Sequence, residues 1–233
     1  MPFSSRFVIM AVLILFVSGQ AVRSQSTEKF EVGGQFSVLQ ISRITTAKLQ
    51  PSIPGPSILI GKERDTQLGF GGRIGYNVNN TDAVEGELNF FPDAGTVGAQ
   101  LLGEGHNLQG LFGVKIGKRF DKVGIFAKAR PGFLSESNGD LQPQTQGVCI
   151  LIFPPPVGCF DAVRKTHFAF DVGGVVEVYP TKRTVIRFDL GDTIIHAGVR
   201  TVPAQLSTHL GAVIIPAETT NNFQASIGFA YRF

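Results

Sequence analysis

The sequence predicts an all-β fold: a closed, antiparallel, eight-stranded up-and-down barrel that crosses a membrane with its strands. Three observations carry this expectation. Eight segments alternate apolar with polar residues at a period of two, the signature of a strand with one apolar face. The links between those segments are short and long by turns. The last segment keeps its alternation up to Phe233, and an N-terminal stretch has the layout of an export signal.

That N-terminal stretch comes first in the chain. Met1 to Arg6 carry one positive charge, and the apolar run from Phe7 to Val17 follows. The run is too short for a membrane-spanning helix, which needs about 20 apolar residues. Small residues at Ala21 and Ser24 suit cleavage. Residues 1–24 are therefore expected to be a cleaved secretory signal, leaving 25–233 as one barrel domain. No cysteine lies near the cleavage region, so a lipid anchor is not indicated.

The first strand presents Phe30, Val32, Gly34, Phe36 and Val38 on its apolar side, and the second presents Leu68, Phe70, Gly72, Ile74, Tyr76 and Val78. The third and fourth offer Val84, Gly86, Leu88, Phe90 and then Leu108, Gly110, Phe112, Val114, Ile116. Val123, Ile125, Ala127 and Ala129 mark the fifth, and the even positions from Phe168 to Val178 mark the sixth. The seventh shows Thr184, Ile186, Phe188 and Leu190, and the eighth the odd positions from Phe223 to Phe233. None of these outward residues is charged, although an even spread of the charged residues would put about seven among about 40 such positions. The opposite face carries Glu31, Arg73, Glu85, Glu87, Lys115, Lys128, Arg130, Asp171, Glu177, Arg187, Asp189 and Arg232.

Patterning alone also suits a soluble sandwich, whose apolar faces would meet inside. The links decide between the two. Residues 79–82, 119–122 and 180–183 form short connections, whereas 43–67, 92–107, 134–166 and 192–222 form long ones. Strict alternation, beginning and ending with a long link, is the habit of outer-membrane barrels, with short periplasmic turns and long extracellular loops. Four long links also count against a compact globular domain. The three tyrosines, Tyr76, Tyr179 and Tyr231, fall at the short-turn ends of their strands, and Tyr76 and Tyr179 are expected to serve as interface aromatics. Closing the sheet removes every unpaired edge from the hydrocarbon.

The final strand ends in Tyr231-Arg232-Phe233, with Phe229 two residues earlier, and is similar to the C-terminal signal that bacterial barrel-assembly machinery recognises. From about Phe30 to Phe233 the pattern resembles the small OmpA/OmpX-type outer-membrane barrels. The resemblance implies a monomer in the outer membrane of a Gram-negative-type cell, with membrane lipid and the assembly machinery as partners. It departs from the two-domain members, because nothing follows Phe233 that could bind peptidoglycan.

Composition narrows the function classes. The net charge of +3 in 233 residues falls to about +1 without Arg6 and Arg23, which leaves no electrostatic footprint for nucleic acid. The inner face carries as many acids as bases, and an eight-stranded barrel is just wide enough for its side chains to fill. Together with Gln35, Gln67, Asn77, Asn89, Gln109 and Gln224, the charges are expected to plug the lumen as a paired network, because lone buried charges are costly. Cys149 and Cys159 are expected to close one loop as a disulfide in an oxidising compartment, with two free thiols as the alternative.

Other motifs carry less chemistry. Gly69 to Gly75 misplaces the third glycine of a dinucleotide loop and reads as strand. His106, His167, His196 and His209 stand in loops or at strand tips without triad or metal spacing, even counting Asp192 and Ser207. Glu85 and Glu87 have a spacing that a glycosidase could use, but lumen pairing with Arg73 and Lys115 is the stronger expectation. Asn79-Asn-Thr81 matches a glycosylation acceptor and reads as a turn. The expected function is non-enzymatic, without cofactor, and exercised by the loops on an external surface or ligand, or through envelope integrity. The segment 142–161, with Ile150, Leu151, Ile152 and Phe153, is the first candidate for such contact. A narrow solute channel and a lipid-modifying enzyme using His196 or His209 are the alternatives.

Overall fold

The computed structural model describes residues 29–52, 55–94, 105–143, 160–202, 213–215 and 217–233. Ten strands run in chain order: β1 (Phe30–Ser52), β2 (Gly55–Asn77), β3 (Asp82–Ala94), β4 (Gly105–Arg119), β5 (Val123–Pro143), β6 (Phe160–Val178), β7 (Thr184–Ala197), β8 (Arg200–Val202), β9 (Val213–Ile215) and β10 (Glu218–Arg232). Eight of them close into an antiparallel barrel in the order β1-β10-β7-β6-β5-β4-β3-β2, while β8 and β9 pair separately. No helix among the described residues is long and apolar enough to cross a membrane.

Closure joins the two ends of the described chain. Glu31 stands opposite Arg232, and the ladder runs on to Leu39 opposite Gln224. Phe30 N donates to Phe233 O at 3.1 Å and Phe233 N to Phe30 O at 3.0 Å, so the last residues of β10 are held by β1.

Local chemistry forms the short turns. Between β2 and β3, Asn79 Oδ1 accepts from the amides of Thr81 (2.7 Å) and Asp82 (2.6 Å), the side-chain mimicry of a backbone turn that favours Asn at such positions. Between β6 and β7, Thr181 Oγ1 accepts from the amides of Arg183 (3.3 Å) and Thr184 (3.0 Å). Asn79 thus works as a turn former.

At the opposite end the strands outrun their sequence limits. The stretch 43–67, expected as a loop, continues the β1–β2 ladder to Ser52 opposite Gly55, and β5–β6 pairing continues to Pro143 opposite Phe160. An antiparallel ladder already in register extends by adding hydrogen bonds one pair at a time, so proline and glycine punctuation at Pro51, Gly55 and Pro56 does not end it. β1 and β2 each have 23 residues, against the 9–11 or so that a tilted strand needs to span a bilayer. Register shifts at Thr45/Ala47, Phe91/Ala94 and Glu136/Asp140 all lie toward this end.

The wall has two chemically opposite faces. Phe36 (72% exposed), Ile74 (65%) and Phe112 (64%) point outward, whereas Asp171 and Glu177 are fully buried. Close strand approach leaves no room for side chains at some inward positions. At Gly191, paired with Gly173, a Cβ would lie 2.7 Å from Val172 O and 3.0 Å from Asp171 Oδ1, so only glycine suits that point of the wall.

Candidate functional site

All twelve charged residues expected on the inner face are buried, and they come from all eight barrel strands. Period two explains the placement: each lies an even number of residues from its fellows on the same strand, opposite the apolar side.

The network begins at the seam. Glu31 accepts from Arg73 Nη2 at 2.8 Å and from Arg232 Nε at 3.0 Å. Arg232 Nη2 reaches on to Glu177 Oε2 at 3.0 Å, and Glu177 also pairs with Lys115. Lys115 Nζ lies 3.9 Å from Glu85 Oε2. Arg187 clamps both oxygens of Glu85, at 2.5 and 2.8 Å, and both oxygens of Asp189, at 2.5 and 3.0 Å. Lys128 bridges Asp189 (3.1 Å) and Asp171 (3.0 Å), and Arg130 bonds Asp171 (2.8 Å) and Glu87 (2.5 Å). Every acid meets at least one base, which is what charges sealed from water require. Two-oxygen arginine pairs add geometric definition to the energy.

Glu85 and Glu87 do not pair chiefly with Arg73 and Lys115 as expected. Arg73 turns to Glu31, and the two β3 carboxylates meet Arg187 of β7 and Arg130 of β5. The lumen is narrow enough for a guanidinium to reach across it, so pairs across the cylinder such as Arg187–Glu85 and Arg130–Glu87 join pairs along the wall such as Arg130–Asp171 and Arg232–Glu31.

Nearer the long-hairpin end the ions give way to amides. Gln109 and Gln224 bond each other at 2.9 and 3.0 Å, Asn89 Nδ2 donates to Gln109 at 2.9 Å, and Gln35 Nε2 donates to Asn89 at 2.8 Å. Asn107 Nδ2 donates to Gln67 at 2.8 Å. Beyond this belt, Leu39, Ile41, Phe91, Leu134, Ala169 and Ile195 form a buried apolar cluster inside the barrel. Sequence reading missed this cluster, although each member sits at an inward position of its strand's period.

Tyr179 is a correction. It is buried, its hydroxyl donates to Glu177 Oε2 at 2.7 Å and accepts from Arg119 Nε at 3.1 Å, and Arg232 stacks over its ring at 4.5 Å. It faces the lumen because it continues the inward series Asp171, Gly173, Val175, Glu177, a parity already present in the sequence. Arg119 is the second residue missed. Expected in a turn, it ends β4 and reaches inward to Asn77 Oδ1 at 3.0 Å.

The other expected positions divide as follows. Tyr76, Phe229, Tyr231 and Phe233 are exposed on the outer face, and Phe30 packs against Tyr76 (5.1 Å between ring centres) and Phe233 (6.2 Å). His106 lies in β4 beside the Phe90 ring, His167 is buried in β6, and His196 Nδ1 lies 3.0 Å from Thr219 Oγ1 on the exposed side. Cys149, Cys159, His209, Ser207, residues 1–24 and Ile150 to Phe153 lie outside the described residues. Among the described residues no group of three or more His, Cys, Asp or Glu could hold a metal ion.

Solved structures similar to this chain include outer membrane protein AlkL in lipid bilayers (14% identity, 92% of this chain and 94% of that one, TM-score 0.47). Neisserial surface protein A is similar at 11% identity over 88% and 97% of the two chains, TM-score 0.46. Ail, the attachment invasion locus protein of Yersinia pestis, is similar at 12% identity over 88% and 99%, TM-score 0.44. Comparison with curated proteins gives no match. The model of the outer membrane protein beta-barrel domain matches residues 9–233, and the chain belongs to that family.

Proposed function

We propose that this outer-membrane barrel is a sealed, non-enzymatic scaffold that acts through the hairpins of its long-stranded end, by contact with an external surface or ligand. The filled lumen carries the reading. Ion network, amide belt and apolar cluster succeed one another along the axis, so a solute would have to displace paired charges and then packed hydrocarbon. What remains free to act is the pair of long hairpins, β1–β2 and β5–β6, whose ladders extend well past the length a bilayer needs. The short turns are assigned to the periplasm, the hairpins to the exterior and residues 1–24 to a cleaved signal. The chain is taken to be a monomer inserted by the barrel-assembly machinery.

Two experiments test this. In planar bilayers the folded protein should give no discrete conductance steps, and reproducible steps would refute the seal. Deleting residues 144–159 should leave the folded, heat-sensitive gel migration intact and abolish any surface attachment that cells gain by displaying the full chain. Attachment unchanged by the deletion would reject that segment as the contact.

A further inference from the structure

We propose that the short-turn rim binds the headgroups of anionic phospholipids. The inside and the rim of the barrel treat their cations in opposite ways. Within the lumen Lys115 and Lys128 sit against carboxylates. At the rim Lys29, Lys118, Lys122 and Lys182 are all exposed, and none of them forms an ion pair with another described residue. They are spread around the circumference, at the start of β1, the end of β4, the β4–β5 turn and the β6–β7 turn. Arg183 adds a further exposed cation and donates to Tyr231 Oη at 3.3 Å.

Among the described side chains the rim holds two exposed or half-buried acids, Asp82 and Asp121. Asp82 is already engaged, its Oδ2 accepting from Asn79 Nδ2 (2.6 Å) and Thr81 Oγ1 (3.0 Å) within the turn. The exposed balance is therefore cationic. At the far end the described exposed and half-buried charges are mixed, with Arg64, Arg164 and Lys165 beside Asp65, Asp192 and Glu218.

Depth selects the partner. A band of exposed rings, Phe30, Tyr76, Phe120, Tyr231 and Phe233, borders the lysines, and such rings settle where hydrocarbon meets headgroups. Lys118 lies over the Phe120 ring at 5.5 Å. Ammonium groups just beyond that band stand at the level of lipid phosphates, and basic side chains there gain by attraction to anionic headgroups. Anionic phospholipid matches both the charge and the depth.

The test uses the folded full chain in nonionic detergent with equimolar phosphatidylglycerol and phosphatidylcholine, and reads retained lipid by native mass spectrometry. Phosphatidylglycerol should be retained on the order of tenfold over phosphatidylcholine at low salt and much less at 1 M salt. The combined variant K29Q/K118Q/K122Q/K182Q, with folding checked by gel migration, should lose the preference, whereas R64Q/R164Q at the other end should keep it. If the combined variant does not fold, the four single variants should each lower the preference, by about twofold on average. Equal retention of the two lipids, or a preference that survives loss of the lysines, overturns the proposal. Competition by millimolar inorganic phosphate would overturn the assignment to lipid. Because the readout is blind to which leaflet the rim faces, failure here is separable from failure of the proposed orientation.

Discussion

Arg187→Met tests the sealed lumen most directly. Arg187 is 1% exposed and holds Glu85 and Asp189 through four hydrogen bonds of 2.5–3.0 Å. Methionine keeps much of the volume and removes the charge. Glu85 then retains Arg130 at 3.2 Å and Lys115 at 3.9 Å, and Asp189 retains Lys128 at 3.1 Å. Neither carboxylate is left wholly alone, so the loss belongs near the lower end of the 3–5 kcal/mol, roughly, that follows removal of one partner from a buried pair. With a urea slope of about 1–3 kcal/mol per molar, the midpoint should fall by at least about 1 M. The chain has no tryptophan, so unfolding from lipid vesicles is followed by circular dichroism and by gel migration without heating. The rim variant Lys182→Gln, which removes no ion pair, should stay within about 0.5 kcal/mol of the parent. A loss under about 1 kcal/mol for Arg187→Met would mean that the lumen charges are hydrated, and the sealed-plug reasoning would fail.

Three further predictions bear on the other layers. Phe91→Ala, in the apolar cluster, should cost about 3–5 kcal/mol in the same unfolding assay, since a narrow closed wall cannot collapse onto the cavity. Ile74→Arg, on the outer face two residues inside the Tyr76 ring, should cost about 1–2 kcal/mol in vesicles, between the roughly 2–4 kcal/mol of the bilayer midplane and the near-zero cost at the interface; an unchanged midpoint would remove that face from lipid. Tyr179→Phe leaves Glu177 and Arg119 each short of one partner and should cost about 1–3 kcal/mol.

The division of the chain into an outer and an inner face was legible in the sequence, because a strand's side chains alternate strictly and lipid tolerates no charge on one of the two sides. Glu31, Arg130, Asp171 and Arg187 could all be assigned inward on that ground alone. Tyr179 was legible too, by parity with Glu177, but its position at a strand end suggested a membrane anchor. The long hairpins lay in stretches expected as loops, 43–67 and 134–166, until the neighbouring strand supplied a ladder to continue.

Period two says which way a side chain points and nothing about what faces it across the cylinder. That Arg187 of β7 meets Glu85 of β3, that Arg73 turns to Glu31, and that Leu39, Phe91 and Ile195 converge as an apolar cluster follow from the stagger of eight strands around a closed ring. Composition and alternation along the chain determined the two faces and the balance of charge. Closure decided the partners that local pairing could not, Arg187 with Glu85 across the lumen and Arg232 with Glu31 at the seam, because these residues become neighbours only when β10 bonds to β1.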